Sequence, residues 1–312
     1  MRSVKYLSRK SLSFLCVILS LIFCGCDSHH GKKVLQETPT SGTIHISADE
    51  SFKPIIDEEI KVFESSFPDA KLIVHYKSEA DCFRDLAGDS TRMIIVTRGL
   101  TRAEERFYED SFRYRPVYDL LAYDAIAVIV NNNSADTVLT MDDVKSLLGD
   151  SNKKHVQVVM DGVSATSTVR YMMDSVLRGK ALGKNVFAAR SSEQVIDFVA
   201  KNENAVGFIG VSWIADQDDP AQLKFLQRVK VASIKCDSCK PPVLAQPLQS
   251  DIIYKRYPMV RGLYYILKEN FSGIGNNFVN FLIYERGQLI FRRAYLVPAK
   301  MGFEIRDVQM KK

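Results

Sequence analysis

Residues 47–54 read SADESFKP, and this stretch decides the fold because an apolar run ends in it and an amphipathic pattern begins. Residues 76–83 (YKSEADCF) and 161–170 (DGVSATSTVR) repeat the change at two distant points of the chain. A helix start leaves backbone N–H groups unpaired and carries partial positive charge, so hydroxyl side chains beside it complete an oxyanion site. One such turn is an ordinary helix cap, whereas three together could converge on one small anion.

Strands and helices alternate outward from these turns. The hydrophobic pattern predicts strands at 43–47, 71–76, 92–96, 123–130, 156–160, 205–213 and 263–267. It predicts helices at 52–67, 78–86, 140–148, 191–200 and 276–284, a helix opened by a Thr101–Glu104 capping box, and a continuation at 289–294 after an interruption at Gly287. Residues 216–245 are expected to be polar and irregular. This alternation predicts an α/β fold with a largely parallel sheet and a second unit that starts near residue 123.

The three turns do not all belong to the same predicted unit. The first two lie in the first unit and the third lies in the second. Because ligands of open α/β sheets bind beyond the carboxyl ends of strands, one ligand shared by all three turns would lie in a cleft between the units. A ligand in such a cleft can drive hinge closure.

The amino-terminal segment is typical of a secretory signal. Basic residues precede an apolar stretch at 12–23 that is short for a membrane span. Residues 23–26 (FCGC) resemble a bacterial lipoprotein box, in which the cysteine after the small residue is lipidated; by position this is Cys26. The alternative is an uncleaved anchor helix. Residues 27–41 show no apolar periodicity and are expected to belong to a flexible tether.

The charge of the chain gives no support for nucleic-acid binding. Residues 1–25 carry four basic and no acidic residues, so their removal lowers the net charge from +5 to +1 and leaves 287 residues. No basic field for nucleic acid remains in that part. Its length is sufficient for two domains.

Three further cysteines remain beyond the lipoprotein box. Cys236 and Cys239, in a CDSC motif, are predicted to form a small disulfide loop, because an exported chain meets an oxidising compartment. Redox chemistry and metal binding are the open alternatives, although no thioredoxin-like context surrounds the motif and no second pair of Cys or His stands at a zinc spacing. Cys82 is expected to be a buried thiol. We therefore predict no metal and no cofactor.

The sequence contains no motif typical of an enzyme. There is no HExxH, no GxSxG and no Walker-type glycine loop. His45 and His75 fall in predicted strands without a nearby nucleophile motif. A non-catalytic protein is the prediction.

At these residues the chain resembles the phosphate-binding proteins of bacterial phosphate ABC transporters, a family of periplasmic solute-binding proteins. The resemblance runs from about residue 42 to 305. The matching words are DESFKP (49–54), YDAIAVIVN (123–131), STVR (167–170), GFIGV (207–211), YP (257–258), RGQ (286–288) and LVP (296–298). Their order along the chain is more specific than any single word.

The resemblance implies a type II periplasmic-binding-protein fold, in which two α/β lobes are joined by two crossover strands. Lobe one would comprise residues 42–124 and 258–312, and lobe two would comprise 125–257. Residues 1–25 would be the signal and 26–41 the tether.

The resemblance also implies a phosphate site built from helix starts. The contacts carried over by motif are Ser51, Phe52, Ser78, Thr166, Ser167, Thr168 and, after the third strand, Thr97-Arg98. Arg98 departs from the family pattern, because better-known members have there an aspartate that accepts a hydrogen bond from protonated phosphate; Glu79 or Asp81 is a candidate for the missing acceptor. Arg170 joins the set, since a cation in the first turn of a helix is unfavourable unless an anion lies nearby. For Ser51 and Ser78, simple helix capping is the alternative, and for Arg98 the alternative is an ion pair with a surface carboxylate.

These features predict a lipid-anchored, exported protein that captures inorganic phosphate and delivers it to an ABC permease in the inner membrane. It would face the periplasm or the cell surface. The alternatives are a binding lipoprotein for another oxyanion and a signalling or interaction protein of the same fold.

Overall fold

The computed structural model describes residues 37–149, 156–162, 166–216 and 218–302. The predicted signal, Cys26 and the first part of the tether lie outside the described residues. Within the described ranges, no helix is both long and apolar enough to cross a membrane.

Strands make up one large mixed sheet and one small sheet. In chain order the strands are β1 (Gly42–Asp49), β2 (Ala70–Lys77), β3 (Thr91–Val96), β4 (Val117–Asn131), β5 (Val138–Leu139), β6 (Gln157–Asp161), β7 (Val186–Ala189), β8 (Ala205–Gly210), β9 (Val229–Val231), β10 (Ser233–Cys236), β11 (Val243–Ala245), β12 (Val260–Leu267) and β13 (Val297–Pro298). The large sheet has the order β2-β1-β3-β12-β4-β8-β6-β7, and β9 and β13 also pair with β4. The small sheet has the order β11-β10-β5.

Helices cover the faces of the sheet. They are α1 (Lys53–Ser66), α2 (Glu79–Ala87), α3 (Arg102–Phe112), α4 (Met141–Leu148), α5 (Ser167–Tyr171, continued by a π-helical turn at Met172–Val176), α6 (Ser192–Lys201), α7 (Pro220–Leu226), α8 (Gln249–Ile253), α9 (Ile274–Ile283) and α10 (Glu285–Arg293). The helix α1 illustrates why they form. Its Ile56 and Phe63 are fully buried on one face of the helix, whereas Glu58 on the other face is exposed. Phe67 caps the carboxyl end of the helix, directly before Pro68.

The strand β4 passes from one lobe of the fold to the other. Its first part pairs antiparallel with β12, with Ala125 opposite Val260. Its second part pairs antiparallel with β8, with Ile126 opposite Gly210. The return connection runs beside it, since the Ile126 N–H donates to the Met259 carbonyl at 2.9 Å. The two-lobed α/β fold is therefore confirmed, while the exact lobe boundaries stay a prediction.

Several elements differ from the sequence expectation. The strand β4 begins at Val117, before the predicted start, because its first residues pair with β12 rather than with a local neighbour. The segment predicted to be irregular, 216–245, contains α7 and the strands β9, β10 and β11. The break in the last helical region falls at Tyr284 rather than at Gly287.

The cysteines and the tether are partly described. Cys236 and Cys239 are joined by a disulfide, and Cys82 is a buried free thiol. Glu37, in the predicted tether, forms an ion pair with Arg92 at 2.9 Å. The last residues of the predicted tether therefore contact the folded body.

Candidate functional site

The end of β1 forms the first wall of the candidate site. Asp49 is the last residue of β1 and caps a short 3-10 turn by accepting the Ser51 N–H at 3.0 Å. Ser51 and Phe52 follow in this turn and are fully buried. Pro54 then lies in the first turn of α1, where its missing N–H costs nothing.

The start of α5 forms the second wall. Thr166 is its N-cap residue and accepts the Val169 N–H at 3.3 Å, while its own hydroxyl donates to the Asp161 carbonyl at 2.9 Å. Ser167 and Thr168 come next and are fully buried. The cap explains why this polar sequence begins a helix directly after β6.

The two walls meet through side chains that the sequence places more than a hundred residues apart. The Ser51 hydroxyl donates to the Asp161 carboxylate at 2.7 Å and lies 3.2 Å from the Thr168 hydroxyl. Ser167 donates to the Asp49 carboxylate twice, from its N–H at 3.0 Å and from its hydroxyl at 2.9 Å. The structure thus brings together three of the predicted site residues at what we call the seam, defined by Asp49, Ser51, Asp161, Ser167 and Thr168.

A buried arginine that the sequence analysis did not select lies against the seam. Arg261 of β12 donates to the Ser167 hydroxyl at 2.9 Å and to the Thr168 hydroxyl at 3.2 Å. Its Nε donates to Asp124 at 2.8 Å, and its guanidinium lies 4.8 Å from the centre of the Phe52 ring. The side chain is only 3% exposed, so its charge acts in a region from which water is excluded.

Arg170 bridges the lobes at a second point. Its guanidinium pairs with the buried Glu79 carboxylate and donates to the Thr97 hydroxyl at 2.7 Å. Although burial pushes the pKa of Glu79 upward, the hydrogen bond and charge of Arg170 hold it below its usual value. Glu79 also accepts the Thr97 N–H at 2.8 Å. Arg170 and Thr97, which were predicted to contact phosphate, therefore donate to the Glu79 carboxylate.

Ser78 and Thr166 line a small cavity next to the seam. The cavity has a volume of about 180 Å³ and is also lined by Glu50, Lys77 and Arg190. Ser78 is the N-cap of α2, and its hydroxyl donates to Asp81 at 2.6 Å. Ser78 therefore caps α2 and also lies beside the candidate site.

Arg98 is not brought to the seam. Its guanidinium holds Glu104 with two hydrogen bonds of 2.8 and 2.9 Å and lies 3.7 Å from the centre of the Phe83 ring. Glu104 is the acidic member of the predicted capping box of α3. The charge of Arg98 is thus directed toward a helix start within lobe one.

Carboxylates at the seam are more numerous than the sequence analysis expected. Burial raises the pKa of Asp49 to about 6, with the nearby Asp161 carboxylate adding to the rise and Arg261 opposing it. Burial and Asp161 also raise the pKa of Glu50 to about 8. Glu50 accepts both the N–H and the hydroxyl of Ser192 at 3.1 Å. Asp49 and Asp161 are the last residues of β1 and β6. A carboxylate at the end of a strand is the sequence feature by which they could have been selected as site residues.

The hydroxyls of the seam face carboxylates and a guanidinium, as groups that bind by hydrogen bonds do. Within the described residues, no seam hydroxyl is hydrogen-bonded to a histidine. Histidines 45 and 75 contact each other on the sheet at 3.2 Å. Among the residues that the structure describes, no group of three or more His, Cys, Asp or Glu side chains is arranged to hold a metal ion.

Comparison with known proteins agrees with this architecture. A family model described as the PBP superfamily domain matches residues 34–286. None of the curated proteins matches the chain.

Solved structures give the same result for the fold. A protein from Clostridium perfringens, described as a phosphate ABC transporter substrate-binding protein with bound phosphate, is 20% identical with a TM-score of 0.67, over 83% of this chain and 100% of that one. An ABC-type phosphate transport receptor from Vibrio cholerae is 19% identical with a TM-score of 0.60, over 82% and 100%. At these identities the likeness establishes the fold, and it confirms the resemblance from which that fold was predicted. Because the family model covers most of its length, the chain belongs to the PBP superfamily.

Proposed function

We propose that the protein is a lipid-anchored, extracytoplasmic solute-binding protein that captures inorganic phosphate for import by an ABC permease. The observation that carries the proposal is the seam, where Ser51 from one lobe meets Ser167 and Thr168 from the other beside the buried Arg261. Two arms of hydroxyl and N–H donors around a guanidinium form an environment suited to an oxyanion. Both similar structures described above carry phosphate in their descriptions, which supports phosphate as the oxyanion.

The existing partners of these donors are consistent with oxyanion binding. Ser167 and Ser51 each donate to a carboxylate, which is itself an oxyanion and accepts hydrogen bonds through charged oxygens as phosphate does. A phosphate bound between open lobes would receive the same donors and would draw the lobes together.

Calorimetric titration of the purified protein with phosphate and then with sulfate tests the proposal. Phosphate-selective binding is expected, with a dissociation constant of about 1 μM or below. In Thr168→Ala the affinity should fall about tenfold to a hundredfold, as for one lost hydrogen bond to a charged group. Thr140→Ala removes the same hydroxyl from the exposed cap of α4 and should leave affinity unchanged. Equal binding of both anions would point to a general oxyanion receptor.

The lipid anchor has its own test. Cys26→Ser should move the protein from the membrane fraction to the soluble fraction, whereas Cys24→Ser should not, because only the cysteine after Gly25 fits the lipoprotein box. Membrane association that survives Cys26→Ser would favour the anchor-helix alternative.

A second candidate is an extracytoplasmic interaction protein that does not bind small anions. The observation that favours it is that Asp49, Glu50 and Asp161 already accept the donors of the opposite lobe. Absence of any heat with phosphate, sulfate or other small oxyanions would support this candidate.

A further inference from the structure

The seam donors hold a carboxylate of the chain at the place where the phosphate contacts are predicted. The N–H of Ser51, the N–H of Ser167 and the hydroxyl of Ser167 all donate to Asp49, at 3.0, 3.0 and 2.9 Å. Asp49 is fully buried, so these bonds do not compete with water. Three charge-assisted hydrogen bonds of this kind make a strong interaction.

From this contact we infer that Asp49 is an internal oxyanion that competes with the external ligand for Ser51 and Ser167 and thereby sets the affinity of the site. The inference rests on the proposed function, since it assigns a role to Asp49 in oxyanion capture. A ligand that takes these donors displaces the Asp49 carboxylate, and the free energy of the displaced bonds is subtracted from that of binding. Asp49 is a specificity-determining residue because a weakly accepting anion cannot replace it.

One buried donor beside the seam has no acceptor in the part of the chain that the structure describes. Arg261 is buried, and its Nη2 atom makes no hydrogen bond, whereas its Nε and Nη1 atoms are paired. A buried guanidinium donor without a partner is uncommon, because desolvation of that N–H is costly. An external oxyanion near Ser167 would lie within the same group of donors and could use this atom.

The charges around Asp49 oppose a second anion while Asp49 is ionised. Asp161 and Glu79 raise the pKa of Asp49 by repulsion, and Arg261 lowers it by attraction. Asp124, Glu50 and Arg170 are further charged groups packed around the seam, and Lys77 and Arg190 line the cavity beside it. Asp49 and Asp161 lie close enough to repel each other, so an arriving dianion is repelled by both until one carboxylate is neutralised or moved.

The substitution Asp49→Asn removes the charge and keeps the turn. An asparagine oxygen can still accept the Ser51 N–H, because Asn is as good a cap residue as Asp. We expect phosphate to bind at least about tenfold more tightly to Asp49→Asn than to the wild type, the equivalent of one charge-assisted hydrogen bond. Asp119→Asn removes the same charge from an exposed ion pair with Lys300 and should change affinity less than about twofold.

The pH dependence gives a second readout. As the pH falls through about 6, the Asp49 carboxylate becomes protonated and loses its advantage as an acceptor. The ratio of wild-type to Asp49→Asn dissociation constants should therefore fall toward 1 between pH 7.5 and pH 5. The protonation state of free phosphate at each pH is the same for both proteins, so the ratio cancels its contribution.

The experiment is calorimetric titration of phosphate into the wild type, Asp49→Asn, Ser167→Ala, the double variant Asp49→Asn/Ser167→Ala and the control Asp119→Asn, with thermal unfolding of each to verify folding. Tighter binding by Asp49→Asn, with a smaller gain in the Ser167→Ala background, supports the inference. So does binding by Asp49→Asn when the wild type shows none. Wild-type binding that Asp49→Asn leaves unchanged or weakens overturns the inference and leaves the proposed function standing. No phosphate binding by either protein overturns both.

Discussion

The ion pair between Arg261 and Asp124 allows the fold and the site to be tested separately. Arg261 is 3% exposed and Asp124 is fully buried, and they are joined by one hydrogen bond of 2.8 Å. One Asp124 oxygen and the Arg261 Nη2 atom have no hydrogen-bond partner. Burial raises the pKa of Asp124 even though Arg261 attracts its charge. The pair therefore does not fully offset the cost of its own burial.

The magnitudes follow from this imbalance. Arg261→Met leaves the Asp124 charge buried without a cation, and we expect it to lower the free energy of unfolding by about 3–5 kcal/mol. The double variant Arg261→Met/Asp124→Leu replaces both charges by apolar groups, and we expect it to recover most of the stability lost in Arg261→Met. A smaller deficit should remain, because Arg261 also offsets the burial of the Asp49 charge. Its phosphate affinity should nevertheless fall at least about tenfold, because the guanidinium beside Ser167 is lost.

Urea unfolding of the wild type, both single variants and the double variant measures the coupling, and calorimetric titration measures the affinity. Loss of less than about 1 kcal/mol in Arg261→Met would refute the argument from burial. A double variant as unstable as Arg261→Met would refute the argument from charge imbalance. Full phosphate affinity in the folded double variant would remove Arg261 from the site.

Three further predictions concern other parts of the molecule. Both carboxylate oxygens of Glu59 are buried without hydrogen-bond partners; Glu59→Leu should raise the free energy of unfolding by about 1–3 kcal/mol in urea titrations, whereas Glu58→Leu on the exposed face should change it by less than about 0.5 kcal/mol. Burial raises the pKa of Glu59 well above 4.5, so its contribution to stability should decline as the pH rises above 4.5, and Glu59→Leu should lack that decline between pH 5 and pH 8. Arg98→Gln should leave phosphate affinity within about threefold of the wild type, because Glu104 holds the guanidinium; a hundredfold loss by calorimetry would return Arg98 to the site. Gly207→Ala would place a methyl group 2.8 Å from Ile129 and Val195 and should cost about 1–3 kcal/mol in thermal unfolding. Gly302→Ala, where no atom of the described residues other than its chain neighbours lies within 4 Å, should be neutral.

Local signals in the sequence predicted most individual elements. The capping box at Thr101 predicted the start of α3, because such a cap involves residues only three positions apart. The structure has a second box of this kind at Thr140, at the start of α4. The prediction that 216–245 is irregular was wrong because the strands β9 and β10 in this segment are short. They are stabilised by pairing with β4 and β5 rather than by an alternating pattern of their own. A short strand with a distant partner gives little periodicity to read.

The candidate site shows the same division. Ser51, Ser167 and Thr168 were predicted because hydroxyls at helix starts have a local physical reason to be there, and the structure places them together. Arg98 was assigned to the same site through the family resemblance, but its contact with Glu104 depends on the path of the chain after β3. Arg261 was not selected because the predicted strand began only at residue 263, whereas in the structure β12 begins at Val260 and includes Arg261.

The sequence by itself determined the fold class, the order of most strands and helices, and the polar turns that form the walls of the site. These depend on hydrophobic period and on caps, which are interactions between residues close together in the chain. Only the tertiary structure decided that Asp49 meets Ser167, 118 positions away, and that Arg261 lies beside both. The interactions among the buried charges at the seam depend on distances between residues of the two lobes. Hydrophobic periodicity and helix caps in the sequence do not determine those distances.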